Sequence, residues 1–150
     1  MKKRVKKSKS RDAGFKHPVI DGITFASGTE GDVYVVLKKA GFKPKYEELK
    51  VTLVDGFKPT MPFFIKPKKG HVLKLDMRKF VNTTYTPDFT FNYKNYLIIV
   101  EVKGVVYEDY AIKRKLFRQY LETGELGKVI FFEVYSVENA LQMIEIIKGL

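Results

Sequence analysis

The stretch 96–103, YLIIVEVK, constrains this chain more than any other. Tyr96 to Val100 are continuously apolar, and polar turns bound the segment on both sides. That is the pattern of a central strand covered on both faces. A membrane span needs about 18–20 apolar residues, and no run in the chain approaches that length. Two charges, Glu101 and Lys103, interrupt the end of the strand. Unpaired charges are expensive in such a place. Strand side chains alternate, so these two point to one face, roughly 6–7 Å apart at Cα by the strand rise.

The flanking sequence supplies the layers that such a strand needs. Residues 12–26 give no clear period and read as a lead-in. Ser27-Gly28-Thr29-Glu30 has the form of a capping box, and Val33, Val36, Leu37 and Ala40 follow at helical spacing, with Gly41 as the stop. Residues 46–54 read as a strand with Leu49, Val51 and Leu53 on one face. Residues 59–70 carry three prolines and read as an irregular or edge segment. Residues 71–80 alternate and suit a local hairpin, and 85–93 read as a short aromatic strand. Residues 108–122 are helical, with Ile112, Leu116, Phe117, Tyr120 and Leu121 as the apolar side. A buried strand over 128–135 follows. Ser136 caps a last helix striped by Ala140, Leu141, Ile144 and Ile147. The order predicts an α/β fold, a mixed sheet with helices on both faces. The unit 96–135 implies one parallel crossover.

Charge is distributed unevenly. The formal net charge is +11, and seven basic residues crowd the first eleven positions: Lys2, Lys3, Arg4, Lys6, Lys7, Lys9 and Arg11. A segment so charged and so poor in apolar residues does not pack. It predicts a disordered basic arm over 1–14 that neutralises nucleic-acid phosphates, with a solubilising terminus as the plainer alternative. Residues 15–150 read as one domain. No apolar segment follows the basic start, so no signal peptide is expected. The chain has no Cys, which removes disulfides, thiolate zinc sites and a catalytic thiol and favours a reducing, cytoplasmic setting. His17 and His71 are far apart and suggest no histidine-based site.

Chemistry concentrates at Pro87-Asp88 and Glu101-Val102-Lys103. A hairpin between the two strands brings Asp88 beside Glu101. Two carboxylates that close repel one another unless something neutralises them. Mg²⁺ takes few carboxylates and completes its shell with water and phosphate oxygens. It also activates water and stabilises charge building on phosphorus. Lys103 can orient the nucleophile or neutralise the transition state. A carboxylate-x-Lys triplet is cheap by itself, and Glu48-Leu49-Lys50 is a second one. Burial of the strand sets Glu101 and Lys103 apart, with a structural ion pair as the alternative. Glu30 has two competing roles, the cap acceptor, which the residues alone favour, and a further metal ligand.

With these residues in place, the chain resembles the PD-(D/E)xK nuclease superfamily. Within it the chain looks most like the bacteriophage endonuclease I family of Holliday-junction resolvases and related small phage nucleases. The resemblance rests on Ser27-Gly28-Thr29-Glu30, Tyr85-Thr86-Pro87-Asp88-Phe89 and Glu101-Val102-Lys103-Gly104, and extends over the passage 41–47. It implies a restriction-endonuclease-like αβββαβ core, here followed by a C-terminal helix. It implies Asp88 and Glu101 as Mg²⁺ ligands with the Val102 carbonyl, and Mn²⁺ as a substitute. Glu30 becomes an active-site acid and Lys103 the catalytic lysine. The implied function is hydrolysis of DNA phosphodiesters at branched sites by a homodimer, in host cytoplasm where the gene is phage-borne. The stretch 55–84 is longer than the resolvase pattern needs. Lys113 shares a helix side with Tyr110 and Phe117 and is a further candidate for binding DNA. The alternatives are a non-catalytic nucleic-acid-binding protein on the same fold, and a nuclease of linear duplex DNA or RNA.

Overall fold

A computed structural model describes residues 17–104 and 108–150. The basic arm assigned to 1–14, with Lys2, Lys3, Arg4, Lys6, Lys7, Lys9 and Arg11, lies outside the described residues.

In chain order the elements are β1 (Val19–Ile20), β2 (Ile23–Thr24), α1 (Gly28–Lys39), β3 (Lys45–Tyr46), β4 (Val51–Val54), β5 (Phe64–Ile65) and β6 (Lys74–Leu75). Then come β7 (Thr83–Tyr85), β8 (Phe89–Tyr93), β9 (Tyr96–Val102), α2 (Glu108–Leu121), β10 (Val129–Val134) and α3 (Val137–Lys148). The main sheet has the order β10-β9-β8-β3. β9 runs parallel to β10 and antiparallel to β8, and β3 is antiparallel to β8. The sheet is therefore mixed, and the fold is α/β. No helix among the described residues is long and apolar enough to cross a membrane.

β9 is central because both of its faces are consumed. Ile98, Val100 and Val102 point into a core shared with residues of α1 and α3, among them Val33, Leu37, Met143 and Ile147. Ile99 points the other way, to Val51 of β4, Tyr85 of β7, and Tyr110 and Phe117 of α2. Fully burying one such aliphatic side chain is worth about 1.5–3 kcal/mol, so the two faces together fix the register of β9. Ser27 caps α1 by accepting the Glu30 N–H at 3.2 Å, and Ser136 caps α3 by accepting the Asn139 N–H at 3.2 Å. Each contributes about 1 kcal/mol.

Several expectations need correction. The segment 46–54 is not one strand: β3 joins the main sheet, while β4 pairs with β7 in a separate two-stranded sheet. The strand expected over 85–93 breaks likewise between β7 and β8. The cause is a shared kink. Glu47 adopts φ +50 opposite Asp88, and the next residue on that side, Pro87, has no N–H for a ladder. The lead-in is not structureless either. Asp21-Gly22, both with positive φ, turns β1 back onto β2 as an Asp-Gly hairpin. The hairpin sits on α1 at Gly31, where a Cβ would lie 3.0 Å from the Pro18 ring. Ile112 and Leu141 are exposed, at 64% and 51%. Tyr110 takes a buried place on α2, and Met143 takes one on α3.

Of the hairpin expected within 71–80 only β6 falls there, and its partner β5 lies in 59–70, the stretch read as irregular or edge. The β5–β6 pair continues β4 and β7 outward. The Phe80 N–H donates to the Phe57 carbonyl at 2.8 Å, and the Asp76 N–H donates to the Phe63 carbonyl at 2.7 Å. Gly56 lies directly against the backbone of 80–82, where any Cβ would come within 2.4 Å of the Phe80 carbonyl oxygen. Residues 51–65 and 74–85 thus form one irregular ribbon rooted on α2.

Candidate active site

The kink that divides β3 from β4 also places Asp88. The Glu47 N–H donates to the Asp88 carbonyl at 2.9 Å and pins the backbone there. The β8–β9 ladder ends at Phe89 opposite Val100. Beyond it the Lys103 N–H turns to the Val134 carbonyl of β10 at 2.9 Å. By alternation the Val102 N–H faces the other neighbour, where the ladder has run out. The Asp88 carboxylate fills that gap and accepts the Val102 N–H through Oδ2 at 2.6 Å. A buried donor left over by the sheet is thereby satisfied.

Glu101 is 3% exposed and points to the α2 side of β9. Its Oε1 meets Lys103 Nζ at 2.5 Å, and its Oε2 accepts the Tyr85 hydroxyl at 2.6 Å. Lys103 keeps a quarter of its side chain exposed, against 4% for its partner. Its ammonium lies 4.2 Å from the centre of the Tyr110 ring, a distance at which the ring face attracts a cation. Tyr110 is fixed in turn by donating to Glu133 Oε1 at 2.9 Å. Glu133 also pairs with Arg114 at 3.0 Å. The Lys103 head therefore rests on a braced ring, with an acid on one side and solvent on the other.

These groups line an open cleft of about 320 Å³ together with Thr84, Thr86, Asp109 and Lys113. Burial, and then the negative charge of Glu101, push the Asp88 carboxyl up to about 8. The Val102 N–H and Lys103 act in the opposite direction but do not prevail. Burial and the adjacent Glu101 also hold the Tyr85 phenol above its ordinary range, so it remains a donor. Burial and the Glu133 hydrogen bond do the same for Tyr110.

A hard divalent cation fits this donor set. Asp88 and Glu101 are two carboxylates in one partly dry cleft, and their mutual repulsion is what a cation relieves. Among the described residues no group of three or more His, Cys, Asp or Glu side chains gathers into a cage. Two carboxylates match the number of protein ligands that Mg²⁺ takes, its shell being completed by water and phosphate oxygens. Val102 takes part in the site through its N–H.

The structure therefore brings together Asp88, Glu101, Val102, Lys103 and Lys113. It does not bring Glu30 into the cleft. The Glu30 carboxylate accepts from the Ser27 hydroxyl at 2.8 Å, the Ala26 N–H at 3.1 Å and the Tyr46 hydroxyl at 2.7 Å. It acts as an acceptor at the start of α1, although its charge still helps to raise Asp88. Tyr85 and Tyr110 are site residues that no sequence pattern singles out. Tyr85 stands three positions before Asp88 in the quoted motif, and its hydroxyl reaches Glu101 only because β7 folds back on β4. No curated protein and no solved structure matches the chain. A family does match, over residues 10–137. The chain belongs to that family, described as "Protein of unknown function (DUF1064)".

Proposed function

We propose that the chain is a metal-dependent endodeoxyribonuclease with a restriction-endonuclease-like core of PD-(D/E)xK type, acting on branched DNA. One observation carries the reading. Asp88, Glu101 and Lys103, fifteen positions apart in sequence at most, meet in one cleft beside a buried strand. The Glu101–Lys103 pair by itself needs one acid, and Asp88 brings a second, half-buried carboxylate to the same cleft. The core order α1, β3, β8, β9, α2, β10 is the one that the resemblance implies.

Asp88, Glu101 and the Val102 carbonyl would hold Mg²⁺, with Mn²⁺ as a substitute. When bound, the cation supplies Lewis-acid neutralisation of charge at phosphorus. The rest is done by the chain. Tyr85 clamps Glu101 through Oε2 and keeps that carboxylate from rotating. The Val102 N–H orients Asp88. Lys103, held over the Tyr110 ring, presents its ammonium at the cleft mouth to a non-bridging phosphate oxygen, where it offsets transition-state charge. Lys113, on the same cleft wall, grips a neighbouring phosphate. The arm at 1–14 adds salt-dependent affinity.

The test is cleavage of a four-way junction, a linear duplex and a single strand of matched sequence, with and without Mg²⁺. Cuts on the junction that need both Mg²⁺ and Lys103 are the expected result. Asp88→Asn keeps size and hydrogen-bonding reach, so it should abolish cleavage while the protein stays folded by circular dichroism. Full activity in Asp88→Asn would remove Asp88 from the site. Cuts on all three substrates would retain the nuclease and discard the junction preference. Intact binding without cleavage of any substrate would point to a non-catalytic DNA-binding protein.

A further inference from the structure

The excess positive charge of this chain is confined to two segments. Seven charges belong to residues 1–11. The stretch 55–84 holds seven basic and two acidic residues. Everything else holds fourteen basic and fifteen acidic residues and is close to neutral. One of the two acids in 55–84, Asp76, is already taken by Arg78 in a two-pronged pair at 2.6 and 2.8 Å. Among the described residues, Lys58, Lys66, Lys68, Lys69, Lys74 and Lys79 make no ion pair, and all six are exposed.

The same stretch is apolar where apolar surface is least expected. Phe63 and Phe64 are 61% and 58% exposed. Phe57 and Phe80 stack on each other at 5.0 Å while each stays more than half exposed. Exposed apolar surface of this extent, mixed with unpaired cations, marks an interaction site. The ribbon is nonetheless a built structure, held by the ladder through Gly56, Phe57 and Phe63. Its root is the cleft wall, since Thr84 and Tyr85 line the cleft. Ten residues separate Tyr85 from Leu75, which limits the ribbon's reach to about 35 Å. Duplex DNA presents a phosphate charge every ~1.7 Å of axis, so a duplex lying at the cleft passes many phosphates within that reach.

We propose that the ribbon 55–82 is a DNA-gripping element. The lysines around its turn contact phosphates of the duplex flanking the cleft, and Phe63 and Phe64 pack against exposed base or sugar surface. The choice of DNA as partner rests on the nuclease reading above. Charge favours a nucleic acid over a second copy of the chain, because two ribbons of the same sign repel. Lysines and aromatics also leave different signatures. Phosphate contacts set the salt dependence of binding, whereas stacking and apolar contacts do not.

The experiment measures binding of the full chain to a fluorescent 30-base-pair duplex across a salt series in EDTA, where no turnover is needed. Lys66, Lys68, Lys69 and Lys74 are changed together to Ala, and Phe63 and Phe64 together to Ser. All six positions are exposed or outside the cores, so the fold is retained, as circular dichroism checks. The lysine variant should lower the slope of log K against log salt by roughly 3 to 4, at about 0.9 per phosphate contact. The phenylalanine variant should weaken binding at every salt concentration with the slope unchanged. An unchanged slope in the lysine variant overturns the proposal, even if Mg²⁺-dependent cleavage is found. A lowered slope upholds it even if no cleavage is found, so the two readings fail separately. Tighter, lysine-dependent binding to duplex RNA of the same sequence overturns DNA as the partner. A dimer that the phenylalanine change converts to monomer in sedimentation, with DNA binding intact, overturns it in favour of a self-association surface.

Discussion

At Glu48-Leu49-Lys50 both charges stand in solvent. Glu48 pairs with Lys45 at 3.0 Å, each more than half exposed, and Lys50 is exposed on a segment that belongs to no strand. At Glu101-Val102-Lys103 the same spacing falls on and just past the end of a buried strand. There the acid has lost its water and depends on Lys103 and Tyr85. The difference lies in the neighbours. A solvated pair contributes ~0–1 kcal/mol and constrains nothing. A buried carboxylate must be satisfied wherever it sits, so the groups that satisfy it are held in fixed geometry. That fixed geometry turns a common triplet into a candidate site.

Removing the lysine from each triplet should separate the two most sharply. Lys103→Ala leaves Glu101 buried with one partner and should cost about 3 kcal/mol, the lower end for a broken buried pair because Lys103 is itself partly solvated. Lys50→Ala should change stability by less than about 0.5 kcal/mol. Urea denaturation of both variants measures this, and equal costs would erase the contrast.

The contrast should also depend on pH. The Asp88 carboxyl is raised by burial and by Glu101 to about 8, whereas an unfolded Asp titrates near ~3.9. The folded state therefore holds its proton more tightly than the unfolded state. Stability is full below the unfolded value and is lost as pH rises toward the folded one. Metal-free protein should thus melt at progressively lower temperature from pH 5 to pH 8. Asp88→Asn should flatten that trend and melt several degrees higher at the alkaline end, and Mg²⁺ should restore the wild-type protein there. Differential scanning calorimetry across pH reads all three.

The smallest effect is the most specific. Tyr85→Phe removes the hydroxyl from Glu101 Oε2 and should cost about 1–3 kcal/mol for an unsatisfied buried acceptor. If Tyr85 only packed against Phe117, 4.5 Å away between ring centres, the change would be nearly neutral in the same urea titration.

The parts of this picture that are legible in the sequence are those where one period runs unbroken. β9, β10, α2 and α3 announce themselves by apolar run or stripe, and Asp88, Glu101 and Lys103 follow from β9 and one hairpin. The break between β3 and β4 is not legible, because Leu49, Val51 and Leu53 keep alternating across it and all three still pack on the α2 side. The kink comes from the conformation of Glu47 and from Pro87 in the gap between β7 and β8, forty positions away. Asp21-Gly22 is a hairpin signal, but two-residue strands give it no periodic flank. Tyr85 and Tyr110 pass as core aromatics because their hydroxyl partners, Glu101 and Glu133, are sixteen and twenty-three positions distant. Glu30 makes the cap contact with Ser27 that its local sequence favours, and the Tyr46 hydroxyl, sixteen positions away, adds a donor that no local pattern marks.

The ribbon has a thermodynamic consequence beyond binding. Its two ends, Val54 and Thr83, are already neighbours across the β4–β7 ladder, so all of 55–82 hangs on one closed loop. Closure entropy grows only with the logarithm of loop length. Replacing 55–82 with a four-residue turn would recover about 2 kcal/mol of it, and lengthening the ribbon by half would cost well under 1 kcal/mol. Reach away from the cleft can therefore vary widely between related chains while the geometry around Asp88, Glu101 and Lys103 stays the same.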